Sequence, residues 1–160
     1  MATILTTDGT EFEVDDSLYD QLNQYTWYVR GKPRAYAYTH INGATIDMHV
    51  LVAKLSGLST TNEIDHKDRN SYNNKLDNLR ECTRSQNMAN TKVPPGKYSS
   101  YRGVSYYKRR GKFSAHIKVN QKKKYLGSFE DEVQAAKVYD AAAYEAFGEF
   151  ATLNFPEDFE

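Results

Sequence analysis

The sequence predicts an α+β protein with two structural regions. Short runs in which apolar and polar residues alternate are typical of strands, and they occur repeatedly in residues 3–48 and again after residue 101. Helical spacing is confined to a few segments between and after these runs. We therefore expect N-terminal strands and a strand–loop–strand–helix unit, followed by a three-stranded antiparallel sheet packed on one helix.

The first region is predicted to begin with short strands separated by tight turns. The turn pairs Asp8-Gly9 and Asn42-Gly43 favour left-handed backbone and mark where the chain reverses. Apolar residues at helical spacing predict helices near residues 16–23 and 49–55. Strands are expected around residues 3–6, 10–14, 26–30, 34–39 and 44–48.

A strand–loop–strand–helix unit closes the first region. Residues 63–65 and 79–83 read as two strands, and residues 67–75 between them form a polar loop. A helix is expected around residues 84–90. Since adjacent prolines are excluded from the interiors of helices and strands, Pro94-Pro95 predicts a semi-rigid spacer.

The spacer divides the chain into a domain of residues 1–90, a linker of residues 91–100 and a second domain of residues 101–156. Three strands are expected in the second domain, at residues 102–108, 112–119 and 123–129. A capping-box pattern that begins at Ser128 opens the final helix, and Gly148 closes it.

Charge is unevenly distributed, although the formal net charge of the chain is +0. Residues 91–128 carry 11 Lys or Arg and no Asp or Glu, whereas residues 129–160 carry one basic and nine acidic residues. Segregation of this kind can reflect a dipolar solvated surface. It also predicts a face that binds a polyanion, since clustered cations attract phosphate backbones.

The composition limits where the chain can act. The single cysteine excludes a disulfide within the chain and a cysteine-rich zinc site. The N-terminus lacks the basic and apolar regions of a signal peptide, and no apolar stretch approaches the length of a membrane span. We expect a cytoplasmic protein, of a bacterial or phage-infected cell, with no membrane partner.

The pattern with the most chemical content is Asp65-His66, followed by Asn78 and Asn87. Neighbouring side chains can share a pocket only where a strand ends, because they alternate faces within it. Each residue alone fits an ordinary polar turn, a helix cap or an exposed helix position. A calcium loop is excluded because cations, Lys67 and Arg69, stand where oxygen ligands are needed.

The joint pattern resembles the HNH endonucleases, whose ββα-metal motif binds one divalent ion, in the branch common among phage and intron-encoded homing endonucleases. The stretch EIDHKDRNSYNNKLDNLRECTRSQN carries the resemblance. It implies that His66 is the general base, that Asn78 orients it through the loop, and that Asp65 and Asn87 hold Mg²⁺ or Mn²⁺. His49 matches a histidine that often precedes the motif, although Val50 replaces the arginine that usually follows, and we expect His49 to be a packed helix residue or a partner of the site.

The second domain resembles the Apetala/ethylene-response-factor DNA-binding domain. The matching segments are YRGV at 101–104, GKFSAHI at 111–117, YLGSF at 125–129, AAKVYDAAA at 135–143 and GEFATLNFP at 148–156. The resemblance implies that one face of the three-stranded sheet contacts double-stranded DNA. Ser105, Tyr107 and His116 replace an arginine, an arginine and a glutamate that plant members often carry. The residues expected to contact DNA are Arg102, Arg109, Arg110, His116, Lys118, Lys123 and Tyr125.

Three functions remain open from the sequence. The first is a metal-dependent, homing-type DNA endonuclease, positioned on duplex DNA by its second domain. The second is a DNA-binding regulator whose nuclease-like domain is inactive. The third is an RNA-binding protein that uses the same basic, tyrosine-rich face. The sequence does not give the oligomeric state.

Overall fold

The structure is a computed structural model that describes residues 1–31, 33–91 and 98–160. The predicted α+β class is confirmed, because helices and several small antiparallel sheets make up these residues. Pro94-Pro95-Gly96, and with them most of the predicted linker, lie outside the described residues. Within the described ranges no helix is long and apolar enough to cross a membrane.

Contacts divide the chain into two compact units, Met1–Thr83 and Arg84–Glu160. The described residues of the first unit form three separate antiparallel sheets, of two, three and two strands. Its elements are β1 (Ala2–Leu5), β2 (Glu11–Val14), α1 (Tyr19–Asn23), β3 (Tyr28–Arg30), β4 (Tyr36–Ile41), β5 (Ala44–Asp47), α2 (Met48–Leu55), β6 (Glu63–His66) and β7 (Leu79–Cys82).

One apolar core supports the first unit. Phe12, Leu22, Trp27, Met48 and Val52 are all fully buried or nearly so, and they come from strands, helices and the segments between them. The Trp27 indole Nε1 donates a hydrogen bond of 2.9 Å to the Leu22 carbonyl, so the one polar atom of this ring is satisfied inside the core. This core is the platform on which the β6–β7 hairpin rests.

The β6–β7 hairpin sets the positions of the Asp-His pair. Its antiparallel register places Asp65 opposite Arg80, His66 opposite Leu79 and Glu63 opposite Cys82. His66 is the last residue of β6, so the pair lies where the strand runs into the loop, as the sequence predicts. Cys82 is buried at the end of β7, and burial raises the pKa of its thiol to about 12.

The second unit contains the predicted three-stranded antiparallel sheet packed on one helix. Its elements are α3 (Arg84–Ala89), β8 (Val104–Tyr107), β9 (Lys112–Val119), β10 (Lys122–Phe129) and α4 (Glu132–Phe147), with strand order β10-β9-β8. Ala115 and Ile117 of the sheet pack against alanines of α4, whose small side chains allow a close approach. Ser128 belongs to β10 rather than to a helix cap; Asp131 caps α4 by accepting from the Val133 and Gln134 amides.

Gly103 explains why β8 begins at Val104 rather than at residue 102. Its φ of +75° breaks the extended backbone, and a Cβ built there would come within 2.0 Å of the Tyr139 ring of α4. Only glycine allows the chain to pass so close to this ring. The Tyr139 ring therefore packs directly against the backbone that leads into β8.

Helix α3 is grouped with the second unit, although the sequence places it in the first domain. Ala89 is buried in the apolar core that includes Ala115, Ala136 and Tyr139. The domain boundaries predicted from the sequence, at residues 90 and 101, stay a prediction. The contacts show that the compact unit already begins at Arg84.

Candidate functional site

The His66 imidazole is buried and held by an asparagine of the following loop. Its Nε2 lies 3.1 Å from Asn74 Oδ1, while Asn74 Nδ2 donates to the Ser71 carbonyl at 3.3 Å. Because Nδ2 must face that carbonyl, Oδ1 faces the imidazole, and a carbonyl oxygen can only accept. Nε2 therefore carries the hydrogen in the neutral ring, and Nδ1 carries the basic lone pair.

Asn78 braces the loop between β6 and β7. Its Oδ1 accepts from the Asp68 amide at 3.1 Å, and its Nδ2 donates to Asp68 Oδ1 at 2.9 Å and to the Asn73 carbonyl at 2.8 Å. These three bonds use both ends of the buried amide to fix the segment that precedes Asn74. The loop-orienting role expected for Asn78 stays a prediction, and these bonds are the contacts on which it depends.

The Asp68 carboxylate is the charged centre of the loop. Its partial burial pushes its pKa upward, but hydrogen bonds from the Asn70 amide, Asn73 and Asn78 outweigh this and hold the pKa below its ordinary value of 3.8. Asp68 is therefore ionised across the neutral range. The loop is organised around this carboxylate acceptor.

The loop is also attached to the N-terminal strands. The Asn74 amide donates to the Glu13 carbonyl of β2, and the Glu13 amide donates to the Tyr72 carbonyl, both at 2.8 Å. The Tyr72 ring stacks on Phe12, with ring centroids 5.2 Å apart. Residues near the start of the chain thus help to hold Asn74, and through Asn74 they hold His66.

Asp65 forms a buried ion pair with Arg80 across the hairpin. The Arg80 Nε and Nη2 atoms both lie 3.1 Å from Asp65 Oδ2. The side chains of Arg80 and Asp65 are only 11% and 8% exposed, so the pair is shielded from water. A carboxylate has about four acceptor positions on its two oxygens, so an ion pair of this kind is compatible with metal ligation.

His66 lies in a cluster of aromatic rings. The His49 and His66 ring centroids are 5.1 Å apart, and Tyr36 lies 5.8 Å from the first and 6.2 Å from the second. Burial, with the charges of His66 and Arg30, lowers the pKa of His49 to about 3. His49 is thus a neutral neighbour of His66 at any physiological pH, as expected for a packed partner of the site.

Burial is also the main influence on His66. It lowers the pKa of His66 below the ordinary 6.5, while the bond to Asn74 and the charges of Asp65 and Asp68 oppose the shift. The imidazole is therefore predominantly neutral at pH 7. A neutral imidazole with a lone pair at Nδ1 can accept a proton from water.

Asn87 lies on α3 and is therefore part of the second unit, whereas Asp65, His66 and Asn78 belong to the first. The structure brings the first-unit residues together around one loop. The residues it describes contain no group of three or more His, Cys, Asp or Glu side chains that could hold a metal ion. The metal ligands expected from the sequence, Asp65 and Asn87, stay a prediction.

The second unit exposes a sheet face opposite α4. The register pairs Lys118 with Lys123 and His116 with Tyr125 on neighbouring strands. Lys118, Lys123 and Tyr125 are exposed, and the His116 and Tyr125 rings contact each other with centroids 5.4 Å apart. Because β-strand side chains alternate, these residues share the face that α4 does not cover.

A concavity of about 690 Å³ opens on this face near the β8–β9 turn. His116 contributes its ring, and burial together with the Lys123 charge lowers its pKa below 6.5. The Nδ1 atom of His116 has no hydrogen-bond partner in the described residues. The lining residues are Tyr107, Arg109, Arg110, Ser114, His116, Tyr125 and Ser128.

The structure therefore groups six of the seven residues expected to contact DNA on or beside the open face. The seventh, Arg102, points its guanidinium elsewhere. Its Nε donates to the Tyr139 hydroxyl at 2.7 Å, its Nη2 donates to the Met88 carbonyl at 3.3 Å, and its Nη1 donates to the Thr91 carbonyl. The DNA contact expected of Arg102 stays a prediction.

Comparison with protein families places the nuclease resemblance on the residues just described. Residues 48–89 match the family model described as HNH endonuclease. The matched range includes Asp65, His66, Asn78 and Asn87, and also His49 near its start. It covers about a quarter of the chain.

Curated relatives match the second resemblance. An AP2-like ethylene-responsive transcription factor of Arabidopsis thaliana is 40% identical over 91 residues, covering 48% of this chain and 21% of the relative. The AP2-like ethylene-responsive transcription factor TOE2 of the same plant is 44% identical over 62 residues, covering 39% and 13%. APETALA2-like protein 2 of Oryza sativa subsp. indica is 42% identical over 62 residues, covering 39% and 14%.

Both resemblances are confirmed. The chain combines a segment similar to HNH endonucleases with a region similar to AP2-like ethylene-responsive transcription factors. It spans about a fifth or less of the length of these plant relatives.

Three residues of the site were not predicted from the sequence. Asn74 holds His66, Arg80 pairs with Asp65, and Tyr36 contacts two histidine rings. Asp65 pairs with Arg80 because the two residues are opposite each other in the β6–β7 hairpin. The exact length of the loop between the strands would have predicted this register. The contacts of Asn74 and Tyr36 depend on the tertiary fold.

Proposed function

We propose that the protein is a metal-dependent DNA endonuclease of the homing type, positioned on duplex DNA by its second unit. The observation that carries this proposal is the arrangement at the end of β6. There a buried, neutral imidazole beside a carboxylate is fixed by a loop of asparagines. The match of residues 48–89 to HNH endonucleases supports the same reaction.

In the proposed mechanism His66 is the general base. Its Nδ1 accepts a proton from the water that attacks the scissile phosphorus, while the Nε2 hydrogen stays bonded to Asn74 Oδ1. That bond fixes the ring orientation and stabilises the imidazolium that forms. Asn78 keeps the loop, and hence Asn74, in place during the transfer. The expected products carry 5′-phosphate and 3′-hydroxyl ends.

Asp65 and Asn87 would hold Mg²⁺ or Mn²⁺. When bound, the ion would neutralise charge on the phosphate and on the leaving oxygen. Arg80 shares the Asp65 carboxylate through Oδ2 and so keeps that side chain in one orientation. The chain's own contribution is thus a pre-oriented anionic ligand beside a pre-oriented base.

The second unit would supply affinity for duplex DNA. Its open face presents cations and tyrosines across three strands, and a sheet of this kind can enter the major groove. Lys118 and Lys123 are expected to contact phosphates, and the residues around the concavity are expected to meet base edges. Tyr107 joins this set because it is exposed and lines the same concavity.

Cleavage of supercoiled plasmid tests the proposal. The purified protein is incubated with plasmid in Mg²⁺, Mn²⁺ or EDTA, beside the variants His66→Ala and Asp65→Ala. We expect nicked or linear products with either ion, none with EDTA, and a rate loss of roughly 10² to 10⁴ for His66→Ala. Labelling of the new ends should identify 5′-phosphates.

His40→Ala is the matched control. His40 is exposed on β4, where its Nδ1 lies 3.1 Å from the Thr45 hydroxyl, and its loss should leave the rate unchanged. Intact plasmid with every divalent ion, on DNA that the protein demonstrably binds, would contradict the nuclease proposal. Undiminished cleavage by His66→Ala would contradict the choice of base.

A second candidate is a DNA-binding regulator with an inactive nuclease-like unit. It is favoured by the curated relatives, which are named as transcription factors. This function needs the open sheet face but no intact metal site. Sequence-specific binding without cleavage in the plasmid experiment would support it.

A further inference from the structure

Helix α3 is held in place by other segments of the second unit. We infer that Arg102 positions this helix instead of contacting DNA. Side-chain anchors connect α3 to the sheet and its flanking segments. They are Arg102 before β8, Thr152 after α4, and Ser85, which is contacted by the β9–β10 turn. Because α3 carries Asn87, the inference rests on the proposed function where it concerns cleavage.

The helix needs such anchors because it is short. α3 has six residues, and isolated helices below about 12 residues are marginal in water. A cavity of about 270 Å³ also lies beside it, lined in part by Met88, Arg102 and Tyr139. Apolar packing around α3 is therefore incomplete, and polar contacts at its ends carry much of the attachment.

Arg102 is suited to the carboxyl end of α3. Its guanidinium donates to the Met88 carbonyl in the last turn of α3 and to the Thr91 carbonyl just beyond the helix, where carbonyls lack the amide partners of a continuing helix. A cation at this end also complements the helix dipole. Thr152 Oγ1 donates to the Ala89 carbonyl at 2.9 Å, so a second side chain of the same unit satisfies the neighbouring group.

Arg102 is itself fixed from the opposite side. Its Nε donates to the buried Tyr139 hydroxyl, whose ring lies under Gly103. Its backbone amide and carbonyl bond the Asn154 side chain at 2.7 and 3.1 Å. The guanidinium makes three directed bonds and its main chain is anchored, so moving it would remove a donor from the Tyr139 hydroxyl and from both carbonyls.

Arg102→Met in the full-length protein tests the inference without requiring activity. Amide exchange at Asn90 and Thr91 is measured, because these amides donate to the Gln86 and Met88 carbonyls at the end of α3. We expect their exchange to accelerate by about tenfold, since a charge-assisted bond is lost. Lys123→Met, on the open face, is the matched control and should leave both rates unchanged.

The salt dependence of duplex binding separates positioning from a phosphate contact. For Arg102→Met we expect an unchanged slope of log affinity against log salt, whereas Lys123→Met should lower the slope by about one. Arg102→Lys retains the charge but not the planar fork, so it should accelerate exchange nearly as much as Arg102→Met. Tyr139→Phe removes one acceptor with little change in packing and should give a smaller acceleration.

A metal titration connects the anchor to Asn87. In cleavage assays at saturating DNA, Arg102→Met should need roughly tenfold more Mg²⁺ for its half-maximal rate, because the ligand helix is less ordered. Unchanged amide exchange in Arg102→Met, or a salt slope that falls by about one, would overturn the inference. If the wild type does not cleave, the proposed function fails, but the exchange and salt measurements still decide the role of Arg102.

Discussion

The polar side chains of the two candidate sites differ in their exposure to solvent. In the first, Asp65, His66, Asn74 and Asn78 are buried, and each has hydrogen-bond or ion-pair partners within the unit. In the second, the cations and tyrosines of the sheet face are exposed, with Tyr125 at 59% and Tyr107 at 52%. The first arrangement fixes orientation before a substrate arrives, as catalysis requires. The second keeps side chains available for a partner, as recognition requires.

Substitution of Asn74 tests whether buried hydrogen bonds of the first unit fix the orientation of His66. Asn74→Ala deletes the acceptor that fixes His66, and we expect the cleavage rate at saturating DNA to fall by about 100-fold. Duplex affinity should be unchanged, because the open face is untouched. Asn73→Ala is the control within the same loop, since its side chain bonds Asp68 and the Lys75 amide but not His66. Equal rate losses in the two variants would reduce the role of Asn74 to general loop stability.

Asp140→Ala tests whether the second unit also depends on a buried polar centre. Asp140 is fully buried and accepts from the Asn154 amide, the Asn154 side chain and the Phe155 amide. Leaving these donors without an acceptor should lower the free energy of unfolding by about 3 kcal/mol or more. Urea denaturation followed by circular dichroism measures the loss. Asp131→Ala, which removes only the α4 cap, should cost about 1 kcal/mol.

The pH dependence of cleavage sharpens the assignment of the base. Because burial lowers the pKa of His66, its neutral form persists below pH 6.5. We expect kcat/KM to be level near neutrality and to fall by about tenfold per pH unit once the pH drops below that lowered pKa. Initial rates on plasmid in Mg²⁺ between pH 5 and 8 measure the profile. An acid limb centred above pH 6.5 would contradict the environment described for His66.

A smaller effect is expected from His116 on the recognition side. Burial and the charge of Lys123 lower its pKa, so the ring is neutral at pH 7 and gains a proton only below pH 6.5. The added charge on the open face should strengthen duplex binding as the pH falls, by about tenfold or less. Fluorescence anisotropy of labelled duplex at fixed salt measures this gain. His116→Gln should abolish it, and a persisting gain would assign it to another group.

Much of the local structure follows from the sequence. Alternation in residues 112–119 matches the observed limits of β9, and the turn residues near Gly9 and Gly43 separate strands as expected. The spacing of His66, Asn78 and Asn87 indicates a nuclease-type site because it repeats a known motif. These are signals that lie within a short stretch of the chain.

What the sequence does not reveal depends on contacts between distant segments. The loop that carries Asn74 is held partly by its attachment to Glu13, some 60 residues earlier. The placement of α3 with the second unit depends on Arg102 and Thr152, which follow it in the chain. No periodicity or propensity encodes such pairings, since they arise when the tertiary fold forms.

The buried thiol of Cys82 can report on opening of the β6–β7 hairpin. It is the only cysteine of the chain, it pairs with Glu63 at the end of β7, and its pKa of about 12 keeps it protonated. Thiol reagents attack the thiolate, so alkylation in the native state should be slow and limited by opening of the hairpin. The labelling rate of the unmodified protein, with and without DNA, therefore measures directly how often the strand that carries His66 separates from its neighbour.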